Sequence, residues 1–177
     1  MPEHAPGPDP AADGRPEVAV FDIDGVLADV RHRLHHVERR PKDWLAFFEA
    51  MDEDDPLPEG VELAHAHVAE GRAIAYLTGR SEWYRETTED WLDRHGLPHG
   101  PLYMRPDSDY RPARVYKPQV LRRIARDARV AVVVDDDDAV VEVLREQGWP
   151  VVHATWMSTD RDEQQALFDV QEVEGRS

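Results

Sequence analysis

The feature that most constrains the fold is a series of short, unbroken apolar segments separated by stretches with helical periodicity. The segments lie at 17–23, 73–77, 102–104, 129–134 and 150–153. Between them, apolar side chains recur every three to four residues, as in amphipathic helices. Unbroken apolar segments are typical of strands buried on both faces, and strands that alternate with helices form parallel sheets. The sequence therefore predicts an α/β fold, a Rossmann-like three-layer α/β/α arrangement with a mostly parallel sheet.

Chemically reactive side chains follow three of these predicted strands. Asp22 and Asp24 lie at the end of the first, residues 78–80 (Thr-Gly-Arg) form a predicted turn after the second, and four aspartates at 135–138 follow the fourth. In open α/β sheets, ligands bind beyond the carboxyl ends of the strands. These three segments are therefore predicted to meet in one site.

The residue types in these segments indicate a metal and a phosphate. Two carboxylates two residues apart on an extended segment point the same way and repel, so they need a cation or a shared proton. Clustered carboxylates in a loop are also what Mg²⁺ requires. Lys117 precedes Pro118, a position that favours extended backbone, so the sequence places this lysine at the N-terminus of a helix. Helix N-termini and lysine ammonium groups both favour phosphate.

Four segments resemble, in order and context, the four motifs of the haloacid dehalogenase-like phosphatase superfamily. They are VAVFDIDGVLAD (18–29), IAYLTGR (74–80), Lys117 and VVVDDDDAVVEVLREQG (132–148). Each follows a predicted strand or opens a predicted helix, which is the context that such motifs require. Within the superfamily the chain is most similar to the 3′-phosphatase domain of phage-type polynucleotide kinases. The segments that carry this similarity are YLTGRSEWYRETTEDWL (76–92), MRPDSDYRPARVYKPQVL (104–121) and DDDDAVVEVLREQGW (135–149).

The resemblance implies a role for each matching residue. Asp22 would be the nucleophile that forms an aspartyl-phosphate, and Asp24 the general acid and then the general base. The residues implied to bind the phosphate are Thr78, Gly79, Arg80 and Lys117. The residues implied to hold Mg²⁺ are Asp22, Asp24 through its backbone carbonyl, and Asp135 or Asp136. The superfamily also inserts a cap between its first two motifs, which would place a small helical cap at about 31–58.

Two departures from the family pattern bear on substrate and activity. Val26 stands where the family often has threonine, and the segment 22–29 also resembles the first motif of the deoxyribonucleotidases. No G-x-x-x-x-G-K-[ST] segment is present, so no kinase domain is predicted in this chain. A (deoxy)nucleotide or small-metabolite phosphatase is therefore an alternative to an enzyme for polynucleotide ends. A second alternative is a catalytically inactive binding protein on the same scaffold, although the intact site residues argue against it.

Charge is segregated along the sequence. The net charge is −16, yet residues 31–42 and 105–126 together carry twelve basic and three acidic residues, a local +9. A phosphatase for one small phosphate needs one or two cations, so this cluster favours a polyanion, a 3′-phosphorylated DNA or RNA end. The candidate substrate-binding residues are Arg39, Arg40, Arg105, Arg111 and Arg114.

Length and composition complete the expectations. The 177 residues divide into a disordered leader (1–16), a phosphatase domain (17–158) and an acidic tail (159–177). The absence of cysteine excludes disulfides and thiolate chemistry and is consistent with a cytoplasmic location. No apolar run approaches the length of a membrane span, so no membrane partner is expected. The oligomeric state is not predicted.

An aromatic stretch lies within the predicted cap. Trp44, Phe47 and Phe48 have helical spacing, which predicts the core face of a helix. Contact with a substrate is the minority interpretation.

Overall fold

Five parallel strands with helices on both faces form the fold. The computed structural model describes residues 14–38 and 40–157. Its elements in chain order are β1 (Glu17–Phe21), β2 (Ala28–Asp29), α1 (His35–Glu38), α2 (Trp44–Glu49), β3 (Asp55–Pro56), α3 (Pro58–Ala69), β4 (Ala73–Ser81), α4 (Arg85–Arg94), β5 (Leu102–Arg105), α5 (Ala113–Asp127), β6 (Arg129–Asp135), α6 (Asp138–Glu146) and β7 (Val151–His153). The main sheet has the order β5-β4-β1-β6-β7, and each neighbouring pair is parallel. The predicted α/β fold is confirmed.

The sheet is buried on both faces, as the unbroken apolar segments predict. On one face Phe21 and Val134 pack in a core with α3 and α4. On the other, Val20 and Val133 pack in a second core with α5 and α6. Because successive side chains of a strand point to opposite faces, the central strands β4, β1 and β6 each contribute to both cores. The result is the three-layer α/β/α arrangement.

A helical insert, residues 30–54, connects the first strand to α3. β2 and β3 pair antiparallel at its base, and it carries 3₁₀ turns at Arg31–Arg33 and Ala50–Glu53 together with α1 and α2. Its side chains form a third apolar cluster that includes Leu34, Phe47 and Phe48. Phe47 and Phe48 are buried, so the aromatic stretch is a core face. The insert overlaps the predicted cap.

The segment Thr78-Gly79-Arg80 is not a turn, contrary to the prediction. Strand β4 continues through it to Ser81, which pairs with Arg105 of β5 beyond an irregularity in the ladder. Pairing with β5 therefore overrides the local turn preference of glycine. The side chains of Thr78 and Arg80 are carried into the interior by the strand instead.

The helix that carries Lys117 begins five residues earlier than predicted. α5 starts at Ala113 with Pro112 as its N-cap, so Lys117 lies in the second turn and Pro118 lies inside the helix. Proline at that position removes one helical hydrogen bond. Burial of Tyr116 and Pro118 against the rest of the molecule offsets this loss. Helix α2 begins at Trp44, and the side chain of its N-cap, Asp43, accepts a hydrogen bond from the backbone N–H of Ala46.

Several predictions fall outside the described residues. They are the acidic tail, the first thirteen residues of the leader, and Arg39. Among the residues that are described, none of the helices combines the length and apolarity needed to cross a membrane.

Candidate active site

Residues from three separate strands meet at the carboxyl edge of the sheet. β1 lies between β4 and β6, so the chain crosses away from it in both directions, which is where open α/β sheets bind ligands. Asp22 follows β1 and Asp135 ends β6, and both are buried. Nζ of Lys117 on α5 donates to Asp22 Oδ2 at 2.6 Å and to Asp135 Oδ2 at 2.7 Å. One lysine thus joins two aspartates that are 113 positions apart in the sequence.

The carboxylate of Asp22 is held in one orientation. Its Oδ1 accepts a hydrogen bond from the backbone N–H of Ile23 at 2.7 Å, while Oδ2 accepts the bond from Lys117. Its own backbone N–H donates to the carbonyl of Val134 at 2.9 Å, which ties the end of β1 to β6. Both ends of the residue are therefore anchored.

Three carboxylates form a group suited to a divalent cation. Asp22, Asp135 and Asp136 each offer an oxygen, and these atoms lie within 4.8 Å of one another. Oδ1 of Asp136 is buried and accepts no hydrogen bond from the described residues. Asp136 also packs against Gly25, where a Cβ would lie 2.1 Å from Asp136 Oδ2. Hard oxygen donors and an unsatisfied buried oxygen fit Mg²⁺. The side chain of Asp24 is not part of this group.

Asp24 lies in a different environment, made by two buried arginines. Its Oδ1 accepts from Arg80 Nη2 at 2.6 Å and from Arg33 Nη2 at 2.7 Å. Both arginines also bind Asp54, with Arg33 Nε 2.7 Å from Oδ1 and Arg80 Nη2 3.1 Å from Oδ2. Trp91 Nε1 donates to the backbone carbonyl of Asp54 at 2.8 Å. Because each of the four charges is paired, the network can be buried at the base of the insert.

The two aspartates predicted to be catalytic are held in opposite electrostatic environments. Burial has the largest effect on Asp22 and raises its pKa to about 7, although Lys117 opposes the rise. Burial also acts to raise the pKa of Asp24, but the charges of Arg80 and Arg33 outweigh it and lower that pKa to about 2. Pairs of carboxyl groups pushed apart in this way are typical of sites where each has its own task.

The pKa values of the other two carboxyl groups also rise. Burial is the main cause for both Asp135 and Asp136, and the charge of Asp22 adds to the rise at Asp136. Carboxylates that repel in this way are stabilised in their charged form by a nearby cation. The electrostatics therefore agree with the geometry of the three-carboxylate group.

The remaining predicted phosphate-binding residues lie at the end of β4. Thr78 is fully buried, and its Oγ1 accepts from the backbone N–H of Arg80 at 3.2 Å. The carbonyl of Gly79 accepts from Arg105 Nε at 3.1 Å. Arg80 is fully buried, and its guanidinium binds the carboxylate of Asp24. The sheet edge thus brings all the motif residues into one region.

The candidate substrate-binding arginines divide into two groups. Arg105 is buried, donates from Nη1 to the carbonyl of Arg111, and lies 5.1 Å from the centre of the Tyr116 ring. Burial lowers its pKa. Arg40, Arg111 and Arg114 are exposed. The side chain of Arg111 pairs with Asp109.

Only some of the twelve basic residues in 31–42 and 105–126 are available to contact a substrate. Three of the twelve are buried in the interior, namely Arg33, Arg105 and Lys117. Three others lie on later turns of α5, namely Arg122, Arg123 and Arg126. At a rise of 1.5 Å per residue, Arg126 is about 14 Å beyond Lys117 along the helix axis. The exposed cations near the site are therefore fewer than the count suggests.

Two buried residues of the site escape prediction from the sequence. Arg33 lies in a polar, irregular segment among several other basic residues, and Asp54 is one of four consecutive acidic residues at 52–55. Both are fully or almost fully buried in the structure. The one available signal is that two neighbouring carboxylates need cations, and it does not say which arginine of the insert supplies one.

Comparison with known proteins agrees with this geometry. Residues 16–156 match the family model described as the polynucleotide kinase PNKP phosphatase domain. A chain of the Pnkp1/Rnl/Hen1 RNA repair complex is 25% identical with a TM-score of 0.68, and the match covers 80% of this chain and 43% of that one. A second structure of the Pnkp1/Rnl/Hen1 complex gives 25% identity, a TM-score of 0.67, and coverage of 79% and 45%.

The chain therefore spans less than half the length of those two relatives. The class C acid phosphatase from Bacillus anthracis with tungstate bound shares the fold, at 13% identity and a TM-score of 0.63 over 90% of this chain and 81% of that one. Together with the assembled motif residues, the family match over 16–156 identifies this chain as a phosphatase that belongs to the PNKP phosphatase-domain family of the haloacid dehalogenase-like superfamily.

Proposed function

We propose that this phosphatase is a Mg²⁺-dependent phosphomonoesterase that removes 3′-phosphates from polynucleotide ends through an aspartyl-phosphate on Asp22. The observation that carries the proposal is the contrast between Asp22 and Asp24. One carboxylate faces a lysine and two further carboxylates, and the other is clamped by two arginines. Such a division suits one residue that bonds to phosphorus and another that moves a proton.

Asp22 is the proposed nucleophile. One of its carboxylate oxygens would bond to phosphorus while the bond from phosphorus to the 3′-oxygen breaks. Lys117 supports this role because its charge reduces the repulsion between an anionic carboxylate and an anionic phosphate. An ammonium group has three N–H donors, and the described aspartates use two, so a third can donate to a phosphoryl oxygen. Thr78 at the end of β4 would donate to another.

Asp24 is the proposed proton-transfer residue. In the second step it would take a proton from the water that attacks the aspartyl-phosphate, and its lowered pKa keeps it ionised for that task. In the first step it must instead deliver a proton to the leaving 3′-oxygen. Arg33 and Arg80 disfavour the protonated form, so the base half of its role is the better supported.

Asp22, Asp135 and Asp136 would hold the Mg²⁺, together with the backbone carbonyl of Asp24. When bound, the ion would offset the negative charge of the carboxylates and of the phosphate. The protein residues would then orient the nucleophile and the phosphate within a buried site, where electrostatic interactions are stronger than in water.

The 3′-polynucleotide substrate is supported by the family match and by the exposed arginines at 40, 111 and 114. Two similar chains of known structure come from the Pnkp1/Rnl/Hen1 RNA repair complex. A (deoxy)nucleotide or small-metabolite phosphatase is the second candidate, and the burial of three of the counted cations favours it. The motif residues are intact and paired with one another, which speaks against an inactive binding protein.

The test is phosphate release with Mg²⁺ from oligonucleotides of one sequence that carry either a 3′- or a 5′-phosphate, and from nucleoside 3′- and 5′-monophosphates. We expect kcat/KM to be highest for the 3′-phosphorylated oligonucleotide, by about tenfold or more, because neighbouring phosphates add contacts. The Asp22→Asn protein, purified in parallel, controls for contaminating phosphatases. Equal or higher kcat/KM for a nucleoside monophosphate would replace the proposal with the second candidate.

A further inference from the structure

A cavity of about 470 Å³ opens beside the end of β4. Gly79, which lies between Thr78 and Arg80, forms part of its wall, so the cavity adjoins the proposed phosphate site at this residue. Four aromatic residues line it, namely Phe48, Trp83, Tyr84 and Tyr110. A pocket of this size and composition is in the range that binds small organic groups.

Two of these aromatic side chains are exposed without an evident structural reason. Trp83 is 80% exposed and Tyr110 is 67% exposed. By contrast, the rings of Phe48 and Tyr84 stack on each other, with 5.5 Å between their centroids and an interplanar angle of 26°. This pair forms one wall of the cavity. The backbone of Trp83 is also held, because its N–H donates to Asp107 Oδ1 at 3.0 Å. The cavity thus presents exposed rings on an anchored backbone, as base-stacking surfaces do.

The charges around the cavity disfavour a second phosphate. Asp107 and Asp109 line it along with Arg105, and Asp109 pairs with Arg111. Nη2 of Arg105 is buried and donates to no acceptor among the described residues. Two carboxylates repel an anion, but they can accept hydrogen bonds from the amino groups of a base, while an arginine can donate to its carbonyl or ring nitrogen. The fitting occupant is therefore a neutral, planar, polar ring.

We propose that this cavity binds the base of the nucleotide that carries the 3′-phosphate, stacked on Trp83 with Tyr110 beside it. The inference rests on the proposed function. It narrows the substrate, since the enzyme would recognise the base of the nucleotide whose 3′-oxygen leaves. A terminal base that stacks on a tryptophan in this cavity is no longer paired and stacked within a duplex. The preferred end is accordingly single-stranded or frayed.

The experiment pairs two substrates with two variants. One 3′-phosphorylated oligonucleotide ends in a normal nucleotide, and the other ends in an abasic tetrahydrofuran residue that carries the same 3′-phosphate. Stacking on an aromatic side chain contributes enough that the parent protein should lose about tenfold in kcat/KM on the abasic substrate. The Trp83→Ala protein should lose a similar factor in kcat/KM on the normal substrate. On the abasic substrate its kcat/KM should equal that of the parent protein.

Val68→Ala is the control, because Val68 is an exposed apolar residue on α3 that does not line the cavity. It should leave both substrates within about twofold of the parent, as is usual for surface substitutions. Melting temperatures check that the variants fold, which the exposure of both side chains favours.

Equal losses for Trp83→Ala on the two substrates, or no loss on either, would overturn the cavity assignment while leaving the proposed function intact. A dependence on the base one nucleotide upstream, rather than on the terminal base, would overturn it as well. Release of phosphate from neither oligonucleotide would instead overturn the proposed function, and this assignment with it.

Discussion

At the scale of single residues, the clamp on Asp24 gives the sharpest prediction. Arg33 donates to Asp24 and Asp54 at once, through Nη2 and Nε. Lysine keeps the charge but has one ammonium group, which cannot span both carboxylates in the same way. Arg33→Lys should therefore lower kcat by about 100-fold through misplacement of Asp24, with a much smaller change in KM. Steady-state kinetics on a 3′-phosphorylated oligonucleotide measure both.

The matched control is Arg31→Lys, two positions away. Arg31 pairs with Asp29 near the surface, whereas the arginines that pair with Asp24 are Arg33 and Arg80. Its kcat should stay within about twofold of the parent, as for most surface changes. Equal effects of the two substitutions would show that the clamp has no special role.

The buried position of Arg33 could not be predicted from the sequence, whereas the motif residues could be recognised. Asp22, Asp24, Lys117 and Asp135 are recognisable because each follows a strand or belongs to a motif. Arg33 has no such context: its place beside Asp24 depends on how the helical insert folds back over the sheet edge. A polar pattern gives no sign that an arginine is buried.

At the scale of elements, the turn after β1 supports the metal group. Gly25 has a φ of +75° and lies against Asp136, so a Cβ there would meet Asp136 Oδ2 at 2.1 Å. Gly25→Ala should strain the backbone by about 1–2 kcal/mol and also displace Asp136. The expected result is a lower melting temperature together with a higher Mg²⁺ concentration for half-maximal activity.

Gly71→Ala separates these two effects. Gly71 has a φ of +84°, but nothing lies within 4 Å of the position of its Cβ. It should lose stability by a similar amount and keep the Mg²⁺ requirement of the parent. An unchanged Mg²⁺ requirement in Gly25→Ala would mean that Asp136 does not contribute to the metal site.

The elements themselves were largely predictable, and the failures have physical causes. Apolar segments such as 73–77 and 129–134 must be buried wherever they lie, so they identify strands without further context. The start of α5 was wrong because Pro112, not Pro118, begins it, and two prolines six positions apart are locally equivalent signals. Thr78 to Arg80 stay extended because β5 pairs with the chain on both sides of them, at Leu77 and at Ser81, a contact that the local sequence does not contain.

At the scale of the whole molecule, bound Mg²⁺ should stabilise the fold. A ligand that binds only the folded state at 100 times its Kd contributes about 2.7 kcal/mol. For a chain of this size that corresponds to a rise of about 5 °C or more in Tm. Asp136→Asn should reduce the rise, since it removes one of the three carboxylates. A Tm that is the same in Mg²⁺ and in chelator would contradict the metal site.

The charge distribution predicts a modest dependence on salt. If the exposed arginines at 40, 111 and 114 contact phosphates, log kcat/KM for a single-stranded oligonucleotide should fall with log salt concentration at a slope of about −2. Arg114→Glu should weaken the slope and lower kcat/KM, whereas Arg122→Glu, on a later turn of α5, should change neither. For a nucleoside monophosphate, kcat/KM should change little with salt concentration or with either substitution. Identical slopes for oligonucleotide and monophosphate would count against a polyanionic substrate.

The most direct test of the central claim follows the phosphate itself. A 3′-³²P-labelled oligonucleotide is mixed with the protein and Mg²⁺, quenched in acid within milliseconds, and the label on the protein is measured. The account predicts transient label on the parent protein. It predicts none on Asp22→Asn, whose turnover should fall by about 10⁴-fold or more while its Tm in the absence of Mg²⁺ stays close to that of the parent. Release of labelled phosphate with no protein-bound label, or Asp22→Asn activity within about tenfold of the parent, would contradict it.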